Sequence, residues 1–130
     1  MNAKELKWLL RRQTGCSYHR MIVPDKNYDS VVPGMMHHLI KVYSEDQKKY
    51  SGEEWDCDDI ARDFWCFAKR VKSNATKENK IVGRVIFPDH AEIIYVQGVH
   101  LESNPYYVYY VDQRNWHIRK PDKKPKWIEL

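Results

Sequence analysis

The residues best placed to do chemistry in this chain are Cys57, His90 and Asp112. Cys57 lies in Trp55-Asp56-Cys57-Asp58-Asp59-Ile60-Ala61, where an acidic run opens an amphipathic pattern. That spacing puts the thiol in the expected first turn of a helix. Unpaired backbone N–H groups and the positive end of the helix dipole favour the nucleophilic thiolate there. Asp89-His90-Ala91 and Val111-Asp112-Gln113 each sit beside a strand-like run. An imidazole that takes the thiol proton, and a carboxylate that fixes its tautomer and orientation, complete the set a cysteine hydrolase requires. The Cys57 backbone N–H is one expected oxyanion donor, and the second is open among Gln113, Asn115, Asn27 and the Trp55 indole.

The elements that hold these residues follow from pattern. Asp56 caps the central helix, Asp58 and Asp59 put negative charge in its first turn, and Lys69, Arg70 and Lys72 close its end. Ile60, Ala61, Phe64, Phe67, Ala68 and Val71 form its apolar stripe, with Cys57 in line at the start. Cys66 falls half a turn away from Cys57, so the two thiols do not act together. Leu6, Leu9 and Leu10 predict a helix over 2–13, and residues 14–28 read as loop. Pro33 opens a second helix that carries Met35, Met36, Leu39, Ile40 and Tyr43 and runs to about residue 49.

A polar linker over 73–80 leads to β-branched and aromatic runs at 81–87, 91–97, 106–111 and 116–118. The fold class is α+β: N-terminal helices, then a central Cys-bearing helix packed on an antiparallel β-sheet. A hairpin turning near Leu101 sets His90 directly opposite Asp112, on the same face of the sheet.

At 130 residues the chain reads as a single domain with a core of its own, and residues 119–130 read as a basic extension anchored by Trp127, Ile128 and Leu130. No run approaches the roughly 20 apolar residues that span a bilayer, and the first residues lack a signal-peptide core. The expectation is a cytoplasmic protein, bacterial or phage-encoded, with no membrane partner. Cys16, Cys57 and Cys66 suit a reducing compartment and show no zinc spacing, and adjacent His37 and His38 diverge on a helix. Asp56, Asp58 and Asp59 diverge likewise and read as capping residues, so neither metal nor cofactor is implied. The formal charge of +4 is modest and concentrated at 119–126, which argues against nucleic acid as the partner. The run Tyr106–Tyr110 reads as a strand with one aromatic face inside.

These residues resemble the papain-like/transglutaminase-like cysteine peptidase superfamily, nearest to its small bacterial and phage domains and the protease-like domain of some fungal agglutinins. Those carry Trp-x-Cys-x-Asp-Phe-Ala, His-Ala, and a carboxylate followed by glutamine. Here the matching residues are Trp55, Cys57, Asp59, Ile60 and Ala61, then His90-Ala91, then Asp112-Gln113, so the likeness covers about residues 50–115. The resemblance implies peptide or amide hydrolysis, or acyl transfer, through a thioester. Trp55, Asp58, Gln113, Tyr110 and Trp116 are the expected contacts to a peptide or small-molecule substrate. Asp89 stands where the family usually has glycine, and Glu92 follows His-Ala, giving an acidic entrance. Val111-Asp112-Gln113 stands where Glu-Pro-Gln is common. Those acids, with the aromatic density, keep open a second expectation: a non-catalytic protein that sequesters a small molecule or peptide on the same scaffold. A third is an interaction module using the basic tail and the tyrosine-rich sheet.

Overall fold

Alternating apolar residues in three successive runs dictate the centre of the molecule. The computed structural model describes residues 1–46, 56–71, 80–98 and 105–130. Strands β2 (Val82–Ile86), β3 (Ala91–Gly98) and β4 (Tyr106–Asp112) pair antiparallel. Two short strands and one more complete the sheet: β1 (Met21–Ile22), β5 (His117–Arg119) and β6 (Trp127–Glu129), in the order β1-β6-β2-β3-β4-β5. Because β1 runs parallel to β6, the sheet is mixed rather than wholly antiparallel. The chain is α+β as expected, with three helices packed on that sheet among the described residues.

Each face of the sheet has its own apolar layer. Helix α1 (Ala3–Thr14) is capped by Asn2 and ended by Gly15 in the left-handed conformation. It lays Leu6, Leu9 and Leu10 against Ile94, Val96, Val108 and Tyr110. Helices α2 (Met35–Asp46) and α3 (Cys57–Arg70) cover the other face. There Met36, Leu39, Tyr43, Ile60, Ala61, Phe64 and Ala68 meet Val82, Ile93, Tyr95 and Val111. Even-numbered residues of β3 and β4 therefore look toward α1 and odd-numbered ones toward α3, the two-residue period of a strand.

Three expectations change. Residues 14–28 are not all loop, since they hold a 3-10 turn at Tyr18–Arg20 and strand β1. The 119–130 segment is not a solvated extension: Ile128 and Leu130 are buried, and β6 sits between β1 and β2. Its two-residue alternation is too short to stand out among prolines and lysines. The hairpin register also differs, because Ile93 pairs with Val111 where a turn at Leu101 would give it Tyr109. A slip of two keeps every side chain on its face, so alternation cannot detect it, and the turn that sets register lies outside the described residues. The end of the second helix beyond residue 46, Lys72 and the 73–79 linker also lie outside them. Among the described residues no helix is long and apolar enough to cross a membrane.

One glycine marks where strands approach most closely. A methyl group at Gly83 would lie 2.0 Å from the Glu129 carbonyl oxygen, a backbone atom that cannot swing aside. Gly83→Ala is expected to cost about 1–3 kcal/mol by forcing β2 and β6 apart. Gly34 has open space around its Cα but a φ of +85°, so Gly34→Ala should cost only the left-handed strain of about 1–2 kcal/mol. Thermal unfolding of both variants checks this, and the effect at Gly83 should be accompanied by faster amide exchange in β6.

Candidate functional site

The site is assembled where the start of α3 meets the start of β3. Asp56 opens α3 as its N-cap, accepting from the N–H groups of Asp58 and Asp59, while the Asp59 carboxylate accepts from the Asp56 N–H. This reciprocal box follows from the Asp-x-x-Asp spacing in the sequence. Ile60 N–H bonds to the Asp56 carbonyl. Among the described residues, that leaves Cys57 as the first-turn residue whose N–H has no acceptor. The thiol is on the same residue, half-buried, with Sγ 3.4 Å from the Ala91 N–H, which donates to it.

Gln113 ties the two elements together. Its buried amide nitrogen donates both to the Cys57 carbonyl and, at 2.8 Å, to the Ala91 carbonyl. The first residue of the helix and the first residue of the strand are thus held by one side chain. Gln113 Oε1 is buried without a partner among the described residues. The residue expected to contact substrate, or to donate to an oxyanion, has both amide hydrogens engaged in this clamp.

His90 precedes Ala91 and belongs to the even-numbered, α1-facing series. Its ring stacks on Phe87, with centroids 5.0 Å apart and planes 26° apart. Nδ1 lies 2.8 Å from the Asp89 carboxylate and Nε2 2.9 Å from Glu92. The Cys57 sulfur reaches the same strand end from the α3 side and meets backbone there, not a ring nitrogen. The structure therefore brings the two residues to neighbouring positions without joining thiol to imidazole.

The expected His90–Asp112 contact is replaced by two separate pairings. Asp112 is held by Arg114, which grips both carboxylate oxygens at 3.0 and 2.8 Å and adds its backbone N–H. These bonds draw the Asp112 carboxyl below the ordinary carboxylate range, foremost through the guanidinium hydrogen bonds. Arg114 is held protonated first by Asp112, with Glu92 and Cys57 also close enough to contribute. The carboxylate at the ring is Glu92, 1% exposed, which accepts from the two terminal guanidinium nitrogens of Arg119. Arg119 also bonds Asp122 at 3.0 Å and lies over the Tyr110 ring. The two-residue spacing of His90 and Glu92 was enough to place them on one face. Arg119 was hidden in what reads as a tail.

The remaining expected contacts divide. Tyr110 is fully buried in the α1-side layer, with its hydroxyl donating to the Lys123 carbonyl, so it is not a substrate contact in this arrangement. Asp58 is engaged by Arg84, which bridges to Glu129 at 2.6 Å and so ties α3 to β2 and β6. Trp116, at φ 60°, packs on Tyr43 and Phe64 with ring centroids 5.6 and 5.7 Å away. Trp55 lies outside the described residues. Among the described residues no three His, Cys, Asp or Glu side chains form a metal-holding group.

Removing the Glu92 carboxylate strands the Arg119 charge at a largely buried position, so Glu92→Ala is expected to cost about 3–5 kcal/mol in urea unfolding. Asp112 makes stability depend on pH. Its carboxyl is lowered from 3.8 in the folded chain, so its stabilisation is complete above that value and is lost as pH falls through the lowered one. Asp112→Asn should therefore lose stability less steeply than the parent as pH falls below 3.8, read from acid unfolding followed by circular dichroism. Comparison of the chain with family models, with curated proteins and with solved structures gives no match.

Proposed function

We propose that this protein is a cysteine hydrolase acting on a peptide or other amide bond, with Cys57 as nucleophile and His90 as its base. The observation that carries the reading is at the first turn of α3. One residue there offers both a half-buried thiol and an N–H without an acceptor among the described residues, and Gln113 pins it against the backbone next to His90. A nucleophile with a backbone donor beside it is what acyl transfer needs: the thiolate attacks the carbonyl carbon, and the Cys57 N–H receives the developing oxyanion. The thiol proton goes to His90, which returns it to the leaving amine. Water then cleaves the thioester and regenerates the thiol.

In this scheme Nε2 of His90 stays on buried Glu92, which fixes the ring, and Nδ1 exchanges its contact for the thiol. The contact that gives way is with Asp89, whose carboxylate is 79% exposed, and such solvent-facing pairs are weak. The resemblance of the Cys57, His90-Ala91 and Asp112-Gln113 elements to papain-like and transglutaminase-like peptidases supports the same chemistry. Glu92 then takes the orienting role expected of Asp112, and Asp112 shapes the site through Arg114.

A second reading, a non-catalytic sequestering protein on this scaffold, is favoured by the occupation of both His90 ring nitrogens by carboxylates. The two readings separate on thiol reactivity. Cys66 is exposed, whereas Cys16 is buried and its thiol is pushed up by desolvation, so the experiment uses a Cys66→Ser background. At neutral pH a chloroacetamide probe should modify Cys57, and His90→Ala should slow that modification by about tenfold or more. A Cys57 that reacts at the same rate with or without His90, in a protein that retains a co-purified ligand after Cys57→Ala, would establish the sequestering reading.

A further inference from the structure

The outer face of α1 carries a groove remote from the Cys57 machinery. A cavity of about 750 Å³ is bounded by Lys4, Lys7, Trp8, Leu9, Tyr18 and Tyr106, among others. A smaller hollow of about 250 Å³ shares Trp8 and Tyr18 and adds Arg11 and Arg12. Trp8 is 53% exposed and Tyr18 40%, high values for rings of their size. Each has a guanidinium on its ring: Arg12 lies 4.7 Å from the centre of Trp8, and Arg11 4.9 Å from that of Tyr18.

Helical spacing explains the grouping. Lys4, Lys7, Trp8, Arg11 and Arg12 recur at intervals of three and four, so they share one stripe while Leu6, Leu9 and Leu10 point into the core. The acid on this wall is Glu5, whose carboxylate is engaged by the Asn2 amide at 2.6 Å. Two lysines therefore border the larger, apolar hollow and two arginines the smaller one, and the exposed rings of Trp8 and Tyr18 are shared by both.

We propose that this groove binds single-stranded nucleic acid, with bases stacked on Trp8 and Tyr18 and phosphates received by Lys4, Lys7, Arg11 and Arg12. Flat apolar faces inside and cations at the rim are what an unpaired strand presents the complements to. A duplex keeps its base faces stacked on one another, so it cannot use the rings. An extended peptide would need a strand edge, and α1 satisfies its own backbone. A lipid surface would need the apolar stripe of α1, which is buried against the sheet. The basic run at 119–126, where sequence composition locates the charge, is not part of this groove.

Fluorescence anisotropy of a labelled oligothymidylate of about 12 nucleotides, titrated with the whole chain at about 50 and 200 mM salt, tests the proposal. Saturable binding that weakens steeply with salt is expected. Trp8→Ala should weaken it about 5- to 100-fold, without moving the thermal midpoint, because that ring is half in solvent. Replacing Arg11 and Arg12 by glutamine should flatten the slope of log affinity against log salt by about 1.4. Cys57→Ala should bind as the parent does, which keeps this result separate from the hydrolase reading. Absence of saturable binding up to about 100 µM protein at the lower salt would overturn the proposal. So would a Trp8→Ala variant that binds undiminished, or an oligoglutamate peptide that binds more tightly than the oligonucleotide, which would assign the groove to an acidic protein partner.

Discussion

The amide of Gln113 joins two backbones that arrive from different directions. Its nitrogen gives one hydrogen to the carbonyl of Cys57 and the other to that of Ala91, with the side chain almost wholly removed from solvent. One carbonyl belongs to the first residue of α3 and the other to the first residue of β3. The Gln113 Oε1 is buried without a partner among the described residues. With the carboxylate box of Asp56 and Asp59, the Gln113 clamp determines where the sulfur sits. Every reading of this site, catalytic or not, starts from that position.

Around this fixed point the charges are arranged in chains rather than isolated pairs. Asp122, Arg119, Glu92, His90 and Asp89 run from the surface through a buried carboxylate and back to the surface. Glu129, Arg84 and Asp58 form a second chain that reaches the first turn of α3 from β6. Burial of a charge is tolerable when neighbours satisfy it, and Glu92 has three nitrogen partners. The His90 imidazole is consequently positioned by groups on two strands, β3 and β5, and on the turn that leads into β3. That gives the ring a defined orientation, stacked on Phe87 and held at both nitrogens by carboxylates.

Much of this was legible in the residues. The cap, the first-turn acids and the apolar stripe of α3 are all written locally, in intervals of three and four, and the structure follows them. The same holds for the three long strands. What escaped was long-range. His90 and Glu92 are two apart and share a face by strand geometry alone, but nothing local shows that Arg119, 27 residues later, completes the carboxylate. Tyr110 was expected to contact substrate, but tyrosines sit on both faces of its strand and α1 covers the face that carries Tyr110. The register of β3 on β4 escaped because a shift of two leaves the pattern unchanged.

Strand β6 occupies a place that chain order does not anticipate. It lies between β1, made of residues 21–22, and β2, made of residues 82–86, although it is the sixth described strand in chain order. The hairpins of β2, β3, β4 and β5 join sequence neighbours and can zip up early, whereas β1 has no neighbour in the sheet until residues 127–129 are made. During translation the nascent protein must carry an unfilled slot beside β2, open to any extended segment that drifts near it. Closure of that slot also delivers Glu129 to the Arg84 that holds Asp58, so the terminal strand and the cysteine-bearing turn share one guanidinium.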